Sequence, residues 1–154
     1  MKKNDIHLDM MLSDDFRLGE FIESETAQLS HIDNSPTWEV VLHLHHLCRE
    51  VLQPLRHHYG RPIRIASGYR CEALNELVHG VGSSLHLCGC AADLHLPDID
   101  TGRAWYHWIV DNLDFDQVLL EYSRSGAIRL HVSYKVDSRQ NRHQAFFNYR
   151  RSRP

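Results

Sequence analysis

The sequence predicts a small α+β domain, with an antiparallel sheet whose polar face carries the reactive side chains and helices packed on the other side. Three observations predict it. Apolar residues recur at helical spacing through one long segment around residues 40–55, and short segments downstream alternate apolar and polar residues with period two. Two strands then follow one another near the end of the chain instead of alternating with helices. The 154 residues fit one domain, 1–154 with a core over about 12–148, which is enough chain to bury a core without disulfide staples.

Phe16, Leu18, Phe21 and Ile22 predict a short amphipathic helix that ends before a turn at His31-Ile32-Asp33-Asn34. Ser35 is the expected cap of the main core helix, with Pro36 at its first position. Val40, Val41, Leu44, Leu47, Cys48, Val51, Leu52 and Leu55 then repeat at helical spacing until Tyr59-Gly60 stops it. Ile63 and Ile65 alternate with Arg64 and Ala66 as a short strand leading into Ser67-Gly68-Tyr69-Arg70, and a short helix is expected near 71–78. A glycine-rich loop over 80–89 precedes a strand over 90–96. The helix expected over about 101–112 places Trp105, Trp108 and Ile109 on one face for core packing. Strands over about 115–122 and 127–134 close the fold, joined by Ser123-Arg124-Ser125-Gly126, whose glycine and serines suit a hairpin turn.

A net charge of -3 and a pI near 6.5 exclude general attraction to nucleic acid, which needs a basic surface to displace counterions. The basic end, Arg150, Arg151 and Arg153, is too short to change this and reads as solvated. No 18-residue apolar run exists, so no membrane span is expected. No Sec-type apolar region follows Met1, which makes the cytoplasm the default compartment, and a monomer is favoured. Cys48, Cys71, Cys88 and Cys90 therefore read as reduced thiols. Cys88-Gly89-Cys90 lacks the CxxC spacing of a structural zinc knuckle, and no second pair accompanies it. His43, His45 and His46 read as a solvated helix face, since no carboxylate or cysteine completes a recognised ligand spacing. His57-His58, near the helix end, gains modestly from the helix dipole.

Strand parity singles out one constellation. Side chains at 91, 93 and 95 point one way and those at 92, 94 and 96 the other, so Asp93 faces opposite Leu94. On the last strand Ile128, Leu130, Val132 and Tyr134 form the apolar face, and Arg129, His131 and Ser133 the polar one. His86, seven residues before Asp93, adds a second imidazole. Two imidazoles and a carboxylate suit zinc, whose catalytic sites take three protein ligands and keep a fourth position for water with its pKa lowered toward ~7.

Ser67-Gly68-Tyr69-Arg70, Leu74-Asn75, Gly82, Ser84-x-His86-x-x-Gly89-x-Ala91-Ala92-Asp93, Phe115-Asp116-Gln117 and His131-Val132-Ser133-Tyr134 together resemble the M15 family of zinc peptidases. Within it, the resemblance is to the branch of D-Ala-D-Ala carboxypeptidases and phage endolysins. It runs from Phe16 and Glu20, through Val51-Leu52-Gln53-Pro54-Leu55-Arg56, to Asn141-Arg142 and Gln144. The resemblance implies a hedgehog/D-Ala-D-Ala peptidase-like fold and zinc on His86, Asp93 and His131. It also implies hydrolysis of D-amino-acid-containing bonds in peptidoglycan stem peptides, by a protein released to the wall as a phage or prophage lysin would be. Arg70 is expected to hold a substrate carboxylate or steady the oxyanion, since guanidinium binds carboxylate with two parallel hydrogen bonds. Ser84 and Gln117 are expected to contact substrate, with a ligand-orienting or a turn role open for Ser84.

Several relatives keep a Glu, Asp or His two or three residues before the last zinc histidine. Here those positions are Arg129 and Ile128, neither of which accepts a proton from water. Glu121 on the preceding strand is the expected substitute base, and a cross-strand ion pair with Arg129 is the competing role. A second reading follows from the unmatched base: a zinc-stabilised binding module without catalysis, as in the resembling hedgehog signalling domain.

Overall fold

The computed structural model describes residues 5–122 and 126–148. Met11–Ser13 (β1) and Phe16–Arg17 (β2) pair as a small antiparallel ribbon, followed by Gly19–Ile22 (α1) and Glu25–Leu29 (α2). The single helix expected here is divided. Glu23 is extended, with φ -63° and ψ 127°, and Ser24 restarts the helix by accepting the Ala27 N–H at 3.2 Å.

The main helical segment begins two residues later than its sequence cap. Ser35 donates its hydroxyl to Asp33 at 2.5 Å, while Thr37 Oγ1 accepts the Val40 N–H and caps Trp38–Leu47 (α3). A helix this short does not persist alone in water. Val40, Val41, Leu44 and Leu47 are buried, and at roughly 1.5–3 kcal/mol each that burial holds α3 in place. A π-helical turn, Cys48–Leu52, then leads into Gln53–Tyr59 (α4). Pro54 explains the widened turn, because it offers no N–H to the Glu50 carbonyl and its ring crowds that oxygen. Gly60, at φ 64°, ends the segment as expected.

Ile65–Ser67 (β3), Glu72–Leu77 (α5), a 3-10 turn at Leu85–Cys88, and Ala91–His95 (β4) follow. Ile99–Asn112 (α6) is capped by Asp98, which accepts the Thr101 N–H at 2.7 Å. Gln117–Tyr122 (β5) and Ile128–Ser133 (β6) pair antiparallel, and 123–125 of their predicted turn lie outside the described residues. Gln144–Asn148 (β7) completes a five-stranded sheet of order β3-β4-β6-β5-β7. The sheet is mixed, because β7 runs parallel to β5 while every other neighbour is antiparallel. The chain reverses after β6 but lands beyond β5, and no alternation in the sequence announced that strand.

One sheet face brings Ala92, Leu94, Val118, Leu120, Leu130 and Val132 into a core shared with α3, the π-helical turn and α6. The registers Asp93↔His131, Leu119↔His131 and Glu121↔Arg129 put the polar residues on the opposite face. Among the described residues, no helix is long and apolar enough to cross a membrane.

Buried Asp116 ties β7 to this frame. Its carboxylate accepts from Arg142 Nε at 3.0 Å, Arg142 Nη2 at 2.9 Å and the Arg142 N–H at 3.1 Å, and its carbonyl accepts the Gln144 N–H at 3.0 Å. Burial works to raise the Asp116 pKa, but the hydrogen bonds from Arg142 outweigh it and lower it. The stabilisation is therefore present above the unfolded carboxylate pKa and lost as pH falls through the folded value. Asp116→Asn should cost about 2 kcal/mol at neutral pH, on the scale of hydrogen bonds to charged groups, and less as the pH is lowered. Urea unfolding across pH checks this; an equal loss at every pH would contradict it.

Candidate metal centre

β4 and β6 set Asp93 and His131 directly opposite each other, and the 3-10 turn brings His86 over them. His131 Nδ1 lies 2.9 Å from Asp93 Oδ1, and His86 Nε2 lies 3.4 Å from Asp93 Oδ2. The two rings stand edge to face with centroids 5.3 Å apart. One donor atom from each residue falls within 4.8 Å of the others. Ligands at Zn–N and Zn–O lengths near 2.0–2.1 Å sit about 3.3 Å apart along a tetrahedral edge, so this donor set fits zinc with small adjustments. His86 is already oriented for it: its Nδ1 is 2.6 Å from the Gly68 carbonyl and donates there, leaving Nε2 free as a ligand atom.

The Asp93 side chain is 6% exposed and His86 2%, so the carboxylate's charge needs partners in the protein. Burial works to raise the Asp93 pKa, yet the imidazoles of His131 and His86 beside it hold it well below the usual carboxylate range. Arg129 Nη1 adds a more distant positive charge at 3.9 Å.

The Ser67-to-Arg70 turn is fixed by close packing. A Cβ on Gly68 would meet the Phe21 backbone at 2.5 Å, so a residue without a side chain is required, and the Tyr69 N–H donates to the Phe21 carbonyl at 2.8 Å. Buried Asn34 clamps the same turn. Its amide donates to the Ile22 and Tyr69 carbonyls and its Oδ1 accepts the Cys71 N–H at 2.7 Å. The sequence marked Asn34 only as part of a turn; its partners at 69 and 71 are too distant along the chain to be read. Arg70 then hydrogen-bonds the His86 carbonyl through its own N–H at 3.0 Å. The Arg70 Nε is buried with no hydrogen-bond partner among the described residues, and burial lowers the Arg70 pKa against the pull of Asp93. An open cleft of about 350 Å³ runs past Arg70 to Asp93, with Glu23, His79 and Arg129 also in its walls.

The remaining predicted site residues are placed differently. Ser84 accepts the His86 N–H at 3.2 Å and so positions the turn that carries a ligand. Gln117 donates its amide to Gln144 across β5 and β7 at 2.9 Å. Glu121 shares the sheet face of His131, and its Oε2 receives Arg129 Nε at 2.5 Å, which is the cross-strand pair that competed with the base role. None of these three contributes to the cleft walls. The helix histidines do not form a solvated face: His43 Nδ1 sits 2.7 Å from the Cys88 carbonyl and His45 Nδ1 2.8 Å from the Leu12 carbonyl. All four cysteines are free thiols.

A mixed sheet that presents one imidazole and a carboxylate, with a second imidazole from the 3-10 turn, beside an arginine-walled cleft defines a candidate metallohydrolase centre. A family model described as Peptidase M15 matches residues 14–125, and the chain belongs to that family, as its motifs led us to expect. The matched span includes Arg70, His86 and Asp93 and stops before β6, so His131 joins the site on geometry. Comparison with curated proteins gave no match. Family membership makes the protein a metallopeptidase in kind.

Proposed function

We propose that the protein is a zinc-dependent peptidase that hydrolyses D-amino-acid-containing bonds of peptidoglycan stem peptides, as a carboxypeptidase or an endolysin-type endopeptidase. The observation that carries this reading is the meeting of His86 and His131 with Asp93, which lines the same cleft as Arg70. Zinc bound there supplies Lewis-acid chemistry, polarising a carbonyl and making water acidic enough to react near neutral pH.

The protein's own groups do the rest. His86 through Nε2, His131 through Nδ1 and Asp93 through a carboxylate oxygen would hold the ion, with His86 kept in one tautomer by the Gly68 carbonyl. Arg70 receives the substrate carboxylate or the developing oxyanion through the part of its guanidinium that lines the cleft. Proton transfer falls to Glu121, which must share its carboxylate with Arg129. The stem-peptide specificity rests on the sequence resemblance.

That shared carboxylate also motivates the second reading, a zinc-stabilised wall-binding module without turnover. Mass spectrometry of defined muropeptides incubated with zinc-loaded protein separates the two. Cleavage by wild type is expected, with Glu121→Gln slowed on the order of 10²–10⁴-fold, the usual worth of a general base. Full activity in Glu121→Gln removes only the base assignment. Zinc-loaded wild type that binds sacculi but cleaves no muropeptide establishes the second reading.

A further inference from the structure

A second set of metal-ligand side chains lies behind the first, on the α3 side of the same turn. His43 of α3 and Cys88 and Cys90 of the turn bring one ring nitrogen and two sulfurs within 4.8 Å of one another. Cys90 is 5% exposed, Cys88 is partly buried, and the His43 side chain is 19% exposed. Gly89 makes the meeting possible. It adopts φ 76°, and a Cβ there would meet Val40 Cγ1 and the Val40 carbonyl at 2.9 Å, so only glycine lets the turn lie this close to α3. The imidazole is also steadied, with its Nδ1 2.7 Å from the Cys88 carbonyl.

The geometry points to a second metal site at His43, Cys88 and Cys90, selective for a soft thiolate-preferring cation such as zinc. A tetrahedral ion at Zn–S near 2.3 Å and Zn–N near 2.0–2.1 Å needs donors roughly 3.5–3.8 Å apart, which the present spacing reaches by small side-chain shifts. Solvent takes the fourth position. Thiolates favour zinc over magnesium or calcium, so the site differs in chemistry from the His86, Asp93 and His131 set. An ion here ties α3 to the turn between His86 and Asp93. It thereby stiffens the support of the first centre, and its existence does not depend on the reaction proposed above.

The different donors make the test specific. Reduced, metal-free protein is titrated with cobalt(II), and the thiolate-to-cobalt charge-transfer absorption is followed together with bound metal by equilibrium dialysis. Wild type is expected to bind two equivalents and to show the charge-transfer band, which added zinc abolishes. His131→Ala should keep the band and bind one equivalent; Cys88→Ser, left with one thiolate, should show at most about half of the band's intensity and hold the second equivalent more weakly. Cys71→Ser should match wild type. Cys90 is buried enough that its replacement could disturb folding, so the part-exposed Cys88 and His43 carry the test. His43→Gln should keep a weaker-binding band, by roughly 10–100-fold, the loss typical even of an outer partner of a metal ligand. Absence of the band in wild type at saturating cobalt overturns the proposal, as does a band of undiminished intensity in Cys88→Ser.

Discussion

His131→Ala should lower kcat/KM on muropeptides by at least about 10³-fold, above the ~10²–10³ lost when one oxyanion donor is removed, because a missing ligand loses both the ion's position and its charge. Bound zinc should fall by one equivalent in the same variant. The fold should remain, since the His131 side chain is 19% exposed on the polar sheet face and the core lies on the other. Circular dichroism and urea unfolding of the metal-free proteins check that point. Retained cleavage by His131→Ala would sink the zinc mechanism, whereas lost cleavage with unchanged zinc content would move the ligand assignment elsewhere.

Arg70→Ala is expected to cost about 10²–10³-fold in kcat/KM, the range of a lost donor to a developing oxyanion, while zinc content stays that of wild type. The reasoning is geometric. The Arg70 backbone, clamped through the Asn34-held turn, hydrogen-bonds the His86 carbonyl through its N–H, and that contact survives truncation of the side chain. The guanidinium, part of a residue that lines the cleft, does not. Arg70→Lys should recover only part of the loss, because an ammonium keeps the charge without the planar fork. If Arg70→Ala also sheds zinc, the arginine supports the turn and the substrate-binding role fails.

These two residues were legible early for different reasons. His131 stood out because period-two alternation assigns a face to every residue of a strand, and the observed register puts it opposite Asp93 as parity required. Arg70 stood out through a local motif, since the turn that carries it is short and contiguous. Glu121 shows where such reading stops. Parity gave its face correctly, but the same parity placed Arg129 opposite it, and the cross-strand pair at 2.5 Å follows from register as directly as the proposed base does.

The sequence by itself determined the α+β class, the order of its main elements, the apolar and polar faces of β4 and β6, and the three residues of the candidate metal centre. Each is a matter of local periodicity or of a short motif, where burial of one face leaves a regular trace. Only the tertiary structure decided the rest. It divided the first helix at Glu23, moved the cap from Ser35 to Thr37 and added a parallel β7 through buried Asp116. It also turned His43 from an expected surface histidine into a neighbour of Cys88 and Cys90. The physical reason is chain separation: Cys88 comes 45 positions after His43, and nothing in local spacing states that α3 and the turn will pack within reach of each other. That approach is set by Gly89 lying against Val40, a contact that exists only once the core has closed.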